Sequence, residues 1–361
     1  MKIRERYIAK TLLSYTLVVL VVWLSIYSFF NFLTEINVVG QESYTILSAI
    51  KYIILKMPEV TYSQASPVIL LGCVLGMGHL ATTNQLLIFR ISGASILKIT
   101  GTTLKNALIF VIAIIAIGEA IAPMSSNFAE LGRSNALGDN VISTSQEGFW
   151  IRDSDNFINV KKNIDGKIFS GITIIKVNSS NKIESVIKSE NAVFDGNSLD
   201  MSGTEIFSIS DEGVFDNISL KEHDFYNQKV SFDQDLIDSL KKEPKDLTTW
   251  TIIKQIQFLS DNKLRSGVFE VELYKRLIKP VTLVAMILLA MLFIFGSTRD
   301  ITLGRKIFFG VVLGLSFEML SRIASALALS FDFINPLISA VLPSTLVMLI
   351  SITLLIQKSM S

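Results

Sequence analysis

The sequence is poor in the residue types that usually carry chemistry. Its 361 residues include a single cysteine, Cys73, and only two histidines, His79 and His223. One cysteine excludes an intrachain disulfide, and two distant histidines do not form the H-E-x-x-H pattern of a zinc site. The G-x-x-x-x-G-K-[ST] pattern of a phosphate-binding loop is also absent. We therefore expect this chain to have no metal, no cofactor, no ATP site and no enzymatic activity of its own.

Charged residues are scarce as well. They make up 18% of the chain, against about 25% in ordinary soluble domains. Half of the residues are hydrophobic, and the charges are concentrated between residues 139 and 276. This distribution indicates a soluble part flanked by two membrane parts. With a formal net charge of only +1, nothing favours a nucleic-acid partner.

Six segments are apolar enough to cross a bilayer, for which a helix needs about 20 residues. Backbone groups in lipid must be hydrogen-bonded within the segment, so we predict helices. We expect the third span to end at Pro123, and an amphipathic stretch at residues 44–57 to lie at the interface. The first span is too long for a signal peptide and lacks a clear cleavage site, so we expect it to be retained. The predicted spans are residues 11–33, 62–81, 104–122, 278–295, 307–329 and 336–356.

The distribution of lysine and arginine predicts how these spans are oriented. With six spans, the basic residues near the span ends fall mostly on one side, which the positive-inside rule assigns to the cytoplasm. Both termini are therefore expected in the cytoplasm, and residues 125–271 on the periplasmic side. The residues that support this orientation are Lys2, Arg4, Arg6, Lys10, Arg90, Lys98, Arg299, Arg305, Lys306 and Lys358.

The segment between the third and fourth spans is typical of β structure. Short alternating or β-branched runs are separated by turn residues such as those at 195–197 and 211–213. We predict strands at residues 157–160, 172–177, 183–189, 192–194 and 204–209, followed by helical segments at 236–242 and 249–262. The predicted fold class is an α-helical membrane protein with six transmembrane helices (3+3) and an all-β, jellyroll-like domain between helices 3 and 4. The predicted domains are residues 1–124, with a cytoplasmic helix at about 82–92, then 125–270, and 271–361.

Ionisable side chains inside spans are costly and mark functional candidates. Glu119 lies near the outer end of the third span. Glu318 and Arg322 lie in the fifth span at i, i+4, where they can pair. The alternative is that these groups hold the bundle together or meet lipid headgroups.

A second group of basic residues lies against the positive-inside trend. Lys275, Arg276 and Lys279 precede Pro280 at the outer end of the fourth span, and Arg133 follows the third span. One interpretation is anchoring in phospholipid headgroups. The other is a basic ring that receives a phosphate-bearing lipid, because arginine binds phosphate through its planar fork and lysine as a point charge.

The loop between the second and third spans predicts a short helix. Thr83 or Asn84 can cap its start, and Gly93 can end it. It is too apolar for a free loop and too short to cross the membrane. Leu86, Leu87 and Phe89 would fit a groove on a partner protein. The alternative is a helix that lies on the lipid surface.

Five motifs together give the chain a resemblance to a known family. They are R-x-R-Y-I-A-K at the start, L-L-G-x-x-L-G-M-G-x-L-A in the second span, I-S-G-A-S after the loop, G-E-A-I-A-P at the end of the third span, and S-Q-E-G-F-W-I-R-D before the predicted strands. Over essentially its whole length, the chain resembles the LptF/LptG (YjgP/YjgQ) family of lipopolysaccharide export permeases. The details are closer to LptG than to LptF.

The resemblance implies a permease subunit of an ABC-type transporter that extracts lipopolysaccharide from the inner membrane. Implied partners are an LptF-like paralogous permease, an LptB-like ATPase dimer that binds the ATP, an LptC-like single-span protein and an LptA-like periplasmic bridge. In the family, the first and fifth spans line the lipid cavity, and the loop before the third span docks on the ATPase.

Carried onto this chain, the resemblance assigns ATPase docking to Asn84, Gln85, Leu86, Leu87, Phe89 and Arg90, with Gly93 ending the helix. Gln85 replaces a usual glutamate, so a hydrogen bond would replace an ion pair. Asn31 replaces a basic residue of some family members, whereas Arg133 matches a basic position near the cavity. The runner-up hypothesis is a membrane scaffold that moves a periplasmic domain without carrying lipid. An intramembrane enzyme comes third, because no span supplies a catalytic set.

Overall fold

The computed structural model describes residues 3–137, 149–163, 167–178, 182–210, 217–233, 236–237, 242–295, 303–331 and 333–360. The chain divides into two compact units. The helical unit contains residues 1–39, 49–129 and 270–361, and the β unit contains residues 40–48 and 130–269. The helical unit therefore brings together segments from both ends of the chain, as a 3+3 arrangement of spans requires.

Six helices of the described residues are long and apolar enough to cross a membrane, which confirms the six predicted spans. They comprise Glu5–Val38, Ala65–Thr82, Ile96–Ala136, Gly267–Phe295, Ile307–Ser330 and Pro336–Met360. The helices are α1 (Ile3–Glu35), α2 (Ile46–Ser63), α3 (Ala65–Thr82), α4 (Gln85–Ile91), α5 (Ile96–Ala116), α6 (Ala122–Ala136), α7 (Thr249–Asp261), α8 (Gly267–Phe295), α9 (Leu303–Ser330) and α10 (Pro336–Met360).

The third span does not end at Pro123, contrary to our expectation. A π-helical turn, Ile117–Ile121, joins α5 to α6, and the amide of Ala122 donates to the carbonyl of Ile117 five residues earlier. Proline has no N–H to give to an α-helical hydrogen bond. The wider hydrogen-bond pattern of the π turn just before Pro123 lets the helix continue without that bond.

Helix α3 is the centre of the helical unit. Of its 18 consecutive residues of high hydropathy, 78% are buried. The corresponding share is 11% in α1 and 17% in α9. Glycines allow the close contacts: a methyl group on Gly72 would lie 2.6 Å from Thr16 Oγ1 in α1, and one on Gly314 of α9 would lie 3.0 Å from Pro67 Cβ. Small residues spaced in this way let helix backbones approach within a membrane. Helices α1 and α9 thus pack on α3 and leave most of their own apolar surface exposed.

In the part of the β unit that the structure describes, there is one antiparallel sheet of six strands in sequential order. This confirms an all-β insertion between the third and fourth spans. The sheet that was predicted to be jellyroll-like is, among the described residues, a single antiparallel meander. The predicted strands at 183–189 and 192–194 form one continuous strand. The last strand was missed because its sequence is mostly polar. The strands are β1 (Phe149–Asp153), β2 (Asn156–Asn163), β3 (Ile168–Val177), β4 (Ile183–Phe194), β5 (Ser198–Ser210) and β6 (Asn217–Lys229).

One face of this sheet forms the core of the β unit. Ile158, Ile172, Ile174 and Leu199 on that face are almost fully buried. The side chains packed over them come from the chain after β6 and from α7: Phe232, Leu236, Ile237 and Phe258. The apolar residues that alternate along each strand therefore lie beneath a cover supplied by the same chain.

Candidate functional site

Lys279 lies beside the junction of α2 and α3. Its Nζ donates to the carbonyl of Ser63 at 3.2 Å and lies 5.2 Å from the centre of the Tyr62 ring, a cation–π distance. The π turn is also close to that ring, since a Cβ on Gly118 would lie only 2.0 Å from Tyr62 Cδ2. Glu119, in the same π turn, is within electrostatic reach of Tyr62. Residues from α8 and the π turn therefore meet around one aromatic ring.

Arg276 is turned into the bundle. Its side chain is 5% exposed, and its Nε lies 3.2 Å from Glu272 Oε1. A buried charge of this kind requires a partner, because removing it from water without one is very costly. The structure thus changes the prediction of an open basic ring at Lys275, Arg276 and Lys279. Arg276 and Lys279 both have partners inside the bundle, and the lipid-contact role of the group stays a prediction.

The predicted pairing in the fifth span is confirmed. In α9, the Nε of Arg322 lies 3.4 Å from Glu318 Oε1, and the arginine side chain is 69% exposed. Glu318 is also within electrostatic reach of Lys279. Besides the donor that it gives to Glu318, the guanidinium of this exposed arginine has further donors that solvent, lipid or a partner can reach.

The other two lipid-contact candidates are half-buried. In α1, Asn31 Nδ2 donates to the carbonyl of Tyr27 at 2.9 Å, which is a bond within its own helix. Arg133 lies in the last turn of α6 and belongs to the β unit. Its side chain is not free, because it interacts with another group of the protein. Lipid contact by Asn31 and Arg133 stays a prediction.

Helix α4 has one face on the chain's own core and one face exposed. Leu86 is 5% exposed, and Phe89 packs against the same core. Leu87 is 39%, Ile88 60% and Ile91 78% exposed. Leu86 and Phe89 therefore contact the bundle, and their contact with a partner protein stays a prediction. The exposed apolar face consists of Leu87, which the sequence analysis named, and of Ile88 and Ile91, which it did not.

The two ends of α4 differ from each other in how well they were predicted. Gly93 ends the helix as expected: it has φ +84°, its amide donates to Arg90, and the amide of Ala94 donates to Phe89, a Schellman motif. The predicted side-chain cap at the start is wrong. Asn84 is left-handed and its side chain caps nothing, while Thr83 Oγ1 donates back to the His79 carbonyl. The Thr83 side chain thus serves the preceding helix, α3.

Helix α4 also carries two polar side chains, Gln85 and Arg90. The side-chain oxygen Oε1 of Gln85 is buried and has no hydrogen-bond partner among the described residues, while Arg90 is exposed at the other end of α4.

A polar link joins α2 to α6. The buried Lys56 forms it, since its Nζ lies 3.0 Å from Glu59 Oε2 and 2.7 Å from Ser126 Oγ. The sequence analysis missed this link, although the i, i+3 spacing of Lys56 and Glu59 on an amphipathic helix was a usable signal.

Comparison with known proteins places these features in a family. A sequence model described as "Lipopolysaccharide export system permease LptF/LptG" matches residues 6–357. The chain is 27% identical over 358 residues to the lipopolysaccharide export system permease protein LptG of Escherichia coli strain K12, with 98% of each chain covered. It is 26% identical over 355 residues to the LptG protein of Haemophilus influenzae, again with 98% of each covered.

Proposed function

The chain belongs to the LptF/LptG family of lipopolysaccharide export permeases, and we propose that it is the LptG-type subunit of an ABC-type transporter in the inner membrane. Together with an LptF-like permease, it extracts lipopolysaccharide from the membrane and passes it to a periplasmic bridge. An LptB-like ATPase dimer supplies the energy, and an LptC-like protein joins the assembly. The chain needs no cofactor of its own.

The observation that carries this proposal is the exposed apolar face of α4. A two-turn helix with three large apolar side chains pointing away from its own bundle needs another surface to cover it. Its position between α3 and α5 places it at the end of two spans, so a force applied to it is transmitted directly to the bundle. An external ATPase requires such a contact, because the sequence has no phosphate-binding loop.

The orientation follows from the basic residues. Arg90 is on α4 and Lys98 is in the first turn of α5, which supports a cytoplasmic location for this end of the spans. Both termini are then cytoplasmic, and the β unit is periplasmic. In this orientation α4 faces the compartment that contains ATP, and the β unit faces the compartment that the lipid enters.

For lipid contact, the structure favours the basic side chains that are not committed inside the bundle. Arg322 is exposed on α9, and Lys275 lies at the end of the ionisable group on α8. Arg133 stays in the proposal through its match to the family's basic position. Arg276 and Lys279 also stay candidates, although Glu272, Tyr62 and Ser63 already contact them.

The decisive experiment is reconstitution. The chain, its candidate LptF-like permease and LptB-like ATPase are purified together and placed in proteoliposomes with lipopolysaccharide. We expect a stable complex that releases lipopolysaccharide to a periplasmic acceptor only when ATP is hydrolysed. Failure to form the complex would overturn the proposal. Charge reversal at Arg133 and Lys275 distinguishes the scaffold hypothesis, which requires unchanged lipid release in that variant.

The docking face is tested by Leu87→Asp. The side chain is partly exposed, so the aspartate is hydrated in the free chain and the helix stays folded. In the complex, the charge would be buried in an apolar contact without a partner, at a cost of several kcal/mol. We expect the ATPase to be lost on co-purification while the partner permease is retained.

The matched control for this test is Leu220→Asp, the same change at an exposed position of β6. It should leave ATPase binding intact. Normal recovery of the ATPase with the Leu87→Asp chain would rule out the docking role of α4.

A further inference from the structure

Three of the described helices have residues in both compact units. The helical unit contains residues 49–129, and the β unit contains residues 40–48 and 130–269. Helix α2 therefore begins in the β unit and continues in the helical unit, α6 does the reverse, and α8 also begins in the β unit. Because these helices belong to both units, they are covalent routes by which movement of the spans reaches the β unit.

A lysine occupies a buried position in α2. Ala49, Ile53 and Val60 of this helix are also buried, and together with Lys56 they recur every three or four residues, as on one face of a helix. Lysine is almost never buried unless it is paired. Since Lys56 is only 8% exposed, its charge at this position requires a partner.

The partners form a closed set of hydrogen bonds that reaches α6. Lys56 Nζ lies 3.0 Å from Glu59 Oε2 and 2.7 Å from Ser126 Oγ. The hydroxyl of Ser126 in turn donates to Glu59 Oε2 at 3.2 Å, and Ser126 is 1% exposed. We name these three residues the clamp. Its ion pair lies within α2, and the serine hydroxyl ties that pair to α6.

A second link joins the chain before α2 to the end of α6. The carbonyl of Ala136, the last residue of α6, accepts from the amide of Ser43 at 3.0 Å and from its hydroxyl at 2.9 Å. The last carbonyls of a helix have no partner within the helix, and Ser43 supplies one here. The clamp lies within the helical unit and this link within the β unit. The α2 and α6 segments are thus joined once in each unit.

The π turn between α5 and α6 is a place where this part of the chain can bend. Sharp kinks in long helices are found at such turns, and Ile117–Ile121 comes directly before α6. Helix α5 follows α4 along the chain, and α4 is the proposed docking site of the ATPase. Bending at the π turn would absorb movement of α5 if nothing held α6. The clamp holds α6 to α2 just beyond that turn.

We propose that Lys56 and Ser126 are positioning residues of the transport cycle: the clamp makes α2 and α6 move together, so that movement of α5 passes through the π turn toward the β unit. The hydrogen bonds of the clamp suit this role, because they are buried and therefore stronger than they would be in water. This inference rests on the proposed function, since it takes the source of the movement from ATPase docking at α4.

The clamp is tested by Ser126→Ala in the reconstituted complex. This change removes the link to α6 and leaves the ion pair of Lys56 and Glu59 within α2. The measurements are the rate of ATP hydrolysis and the lipopolysaccharide released for each ATP hydrolysed. We expect release per ATP to fall about fivefold, the lower end of the usual range for coupling between sites, at an unchanged rate of hydrolysis.

The matched control is Ser125→Ala, the same change one position earlier in α6. The Ser125 hydroxyl donates to the Ala122 carbonyl of its own helix at 3.2 Å, so its loss should leave both measurements unchanged. A swapped variant, Glu59→Ser with Ser126→Glu, keeps the three side-chain types but places the carboxylate on α6, where it can pair with Lys56. We expect the swap to restore release per ATP, which a general loss of packing would not do.

Movement of the two helices is measured directly with spin labels. Ile54→Cys on α2 and Phe128→Cys on α6 replace exposed residues, and the native Cys73 is buried and stays in place. With and without ATP, we expect one narrow distribution of label distances in the otherwise unmodified chain and a broader one when Ser126→Ala is added.

Three results would overturn the clamp: equal release per ATP in Ser126→Ala and Ser125→Ala, a swapped variant as uncoupled as Ser126→Ala, or equally narrow label distances with and without the Ser126 hydroxyl. In each case, ATP-driven release by the unmodified complex would leave the proposed function standing. Absence of that release from the unmodified complex would overturn the proposed function, and the clamp with it.

Discussion

At the scale of single residues, the helical unit depends on the absence of side chains as much as on their presence. Gly72 gives Thr16 room against α3, and Gly118 gives the Tyr62 ring room against the π turn. Two charged side chains buried among these helices have fixed partners: Arg276 pairs with Glu272, and Lys56 pairs with Glu59. In an environment with little water, small residues and paired charges are the two ways in which helices can approach closely.

This dependence predicts a loss of stability in Gly72→Ala. The added methyl group would lie 2.6 Å from Thr16 Oγ1 and 2.8 Å from its Cα, so α1 or α3 must shift, at a cost of about 1–3 kcal/mol. The measurement is the thermal unfolding midpoint in detergent. Gly101→Ala is the control, because its methyl group meets nothing within 4 Å and alanine is the better helix former. A midpoint for Gly72→Ala at or above that of the control would contradict the prediction.

At the scale of elements, the turn between β4 and β5 shows how a short polar segment sets the register of long strands. Gly196 has φ +106°, which a residue with a side chain rarely adopts. The carboxylate of Asp195 accepts from the amides of Asn197 at 2.9 Å and Ser198 at 2.7 Å, and its other oxygen from the Ser198 hydroxyl at 3.0 Å. These donors stabilise the charged form and hold the pKa of Asp195 below its ordinary value.

The direction of this pKa shift predicts how the turn responds to acid. Because the folded-state pKa is depressed, the stabilisation is fully present above the unfolded-state value of about 3.9. It is lost as the pH falls through the lower folded-state value. Asp195→Asn keeps the geometry but does not titrate, so we expect its thermal midpoint to depend less on acid pH than that of the unchanged protein. Parallel pH profiles for the two proteins would contradict this assignment.

At the scale of the whole molecule, the distribution of exposed apolar surface indicates where partners lie. Helix α3 is enclosed by its own chain, whereas α1 and α9 present most of their apolar residues outward. Exposed arginine on α9, at Arg322, would be unfavourable against lipid tails alone. We therefore expect α1 and α9 to form the side that meets the proposed permease partner and the lipid, because the resemblance implies that the first and fifth spans line the lipid cavity.

This expectation is tested by thiol labelling in detergent. Val21→Cys on α1 and Ile112→Cys on α5 replace residues of similar exposure, 61% and 67%. Binding of the partner permease should reduce labelling at position 21 and leave position 112 unchanged, since only the first lies on the shared side. Protection of position 112 instead would place the partner on the other face of the bundle.

Much of this architecture was predictable because it follows from local chemistry. Runs of apolar residues identified all six spans, and the alternation of residues 172–177 and 204–209 identified strands. Gly93 was recognised as a helix end because a left-handed position favours glycine wherever it occurs. The predictions failed where the outcome depended on a neighbour far along the chain. Pro123 did not stop its helix because a π turn compensates for it, and the burial of Leu86 against the bundle was not foreseen.

The sequence by itself determined the number of spans, their division into two groups of three, the β insertion and the family, because hydropathy, turn residues and motifs are properties of short segments. Only the tertiary structure decided which of the candidate side chains are available. Arg276 and Lys279 have partners from Glu272 and the Tyr62–Ser63 junction, while Leu87, Ile88 and Ile91 are left exposed. It also showed that residues after β6 close the sheet. Whether a side chain is free or occupied depends on groups brought together by packing, and no pattern within one segment specifies them.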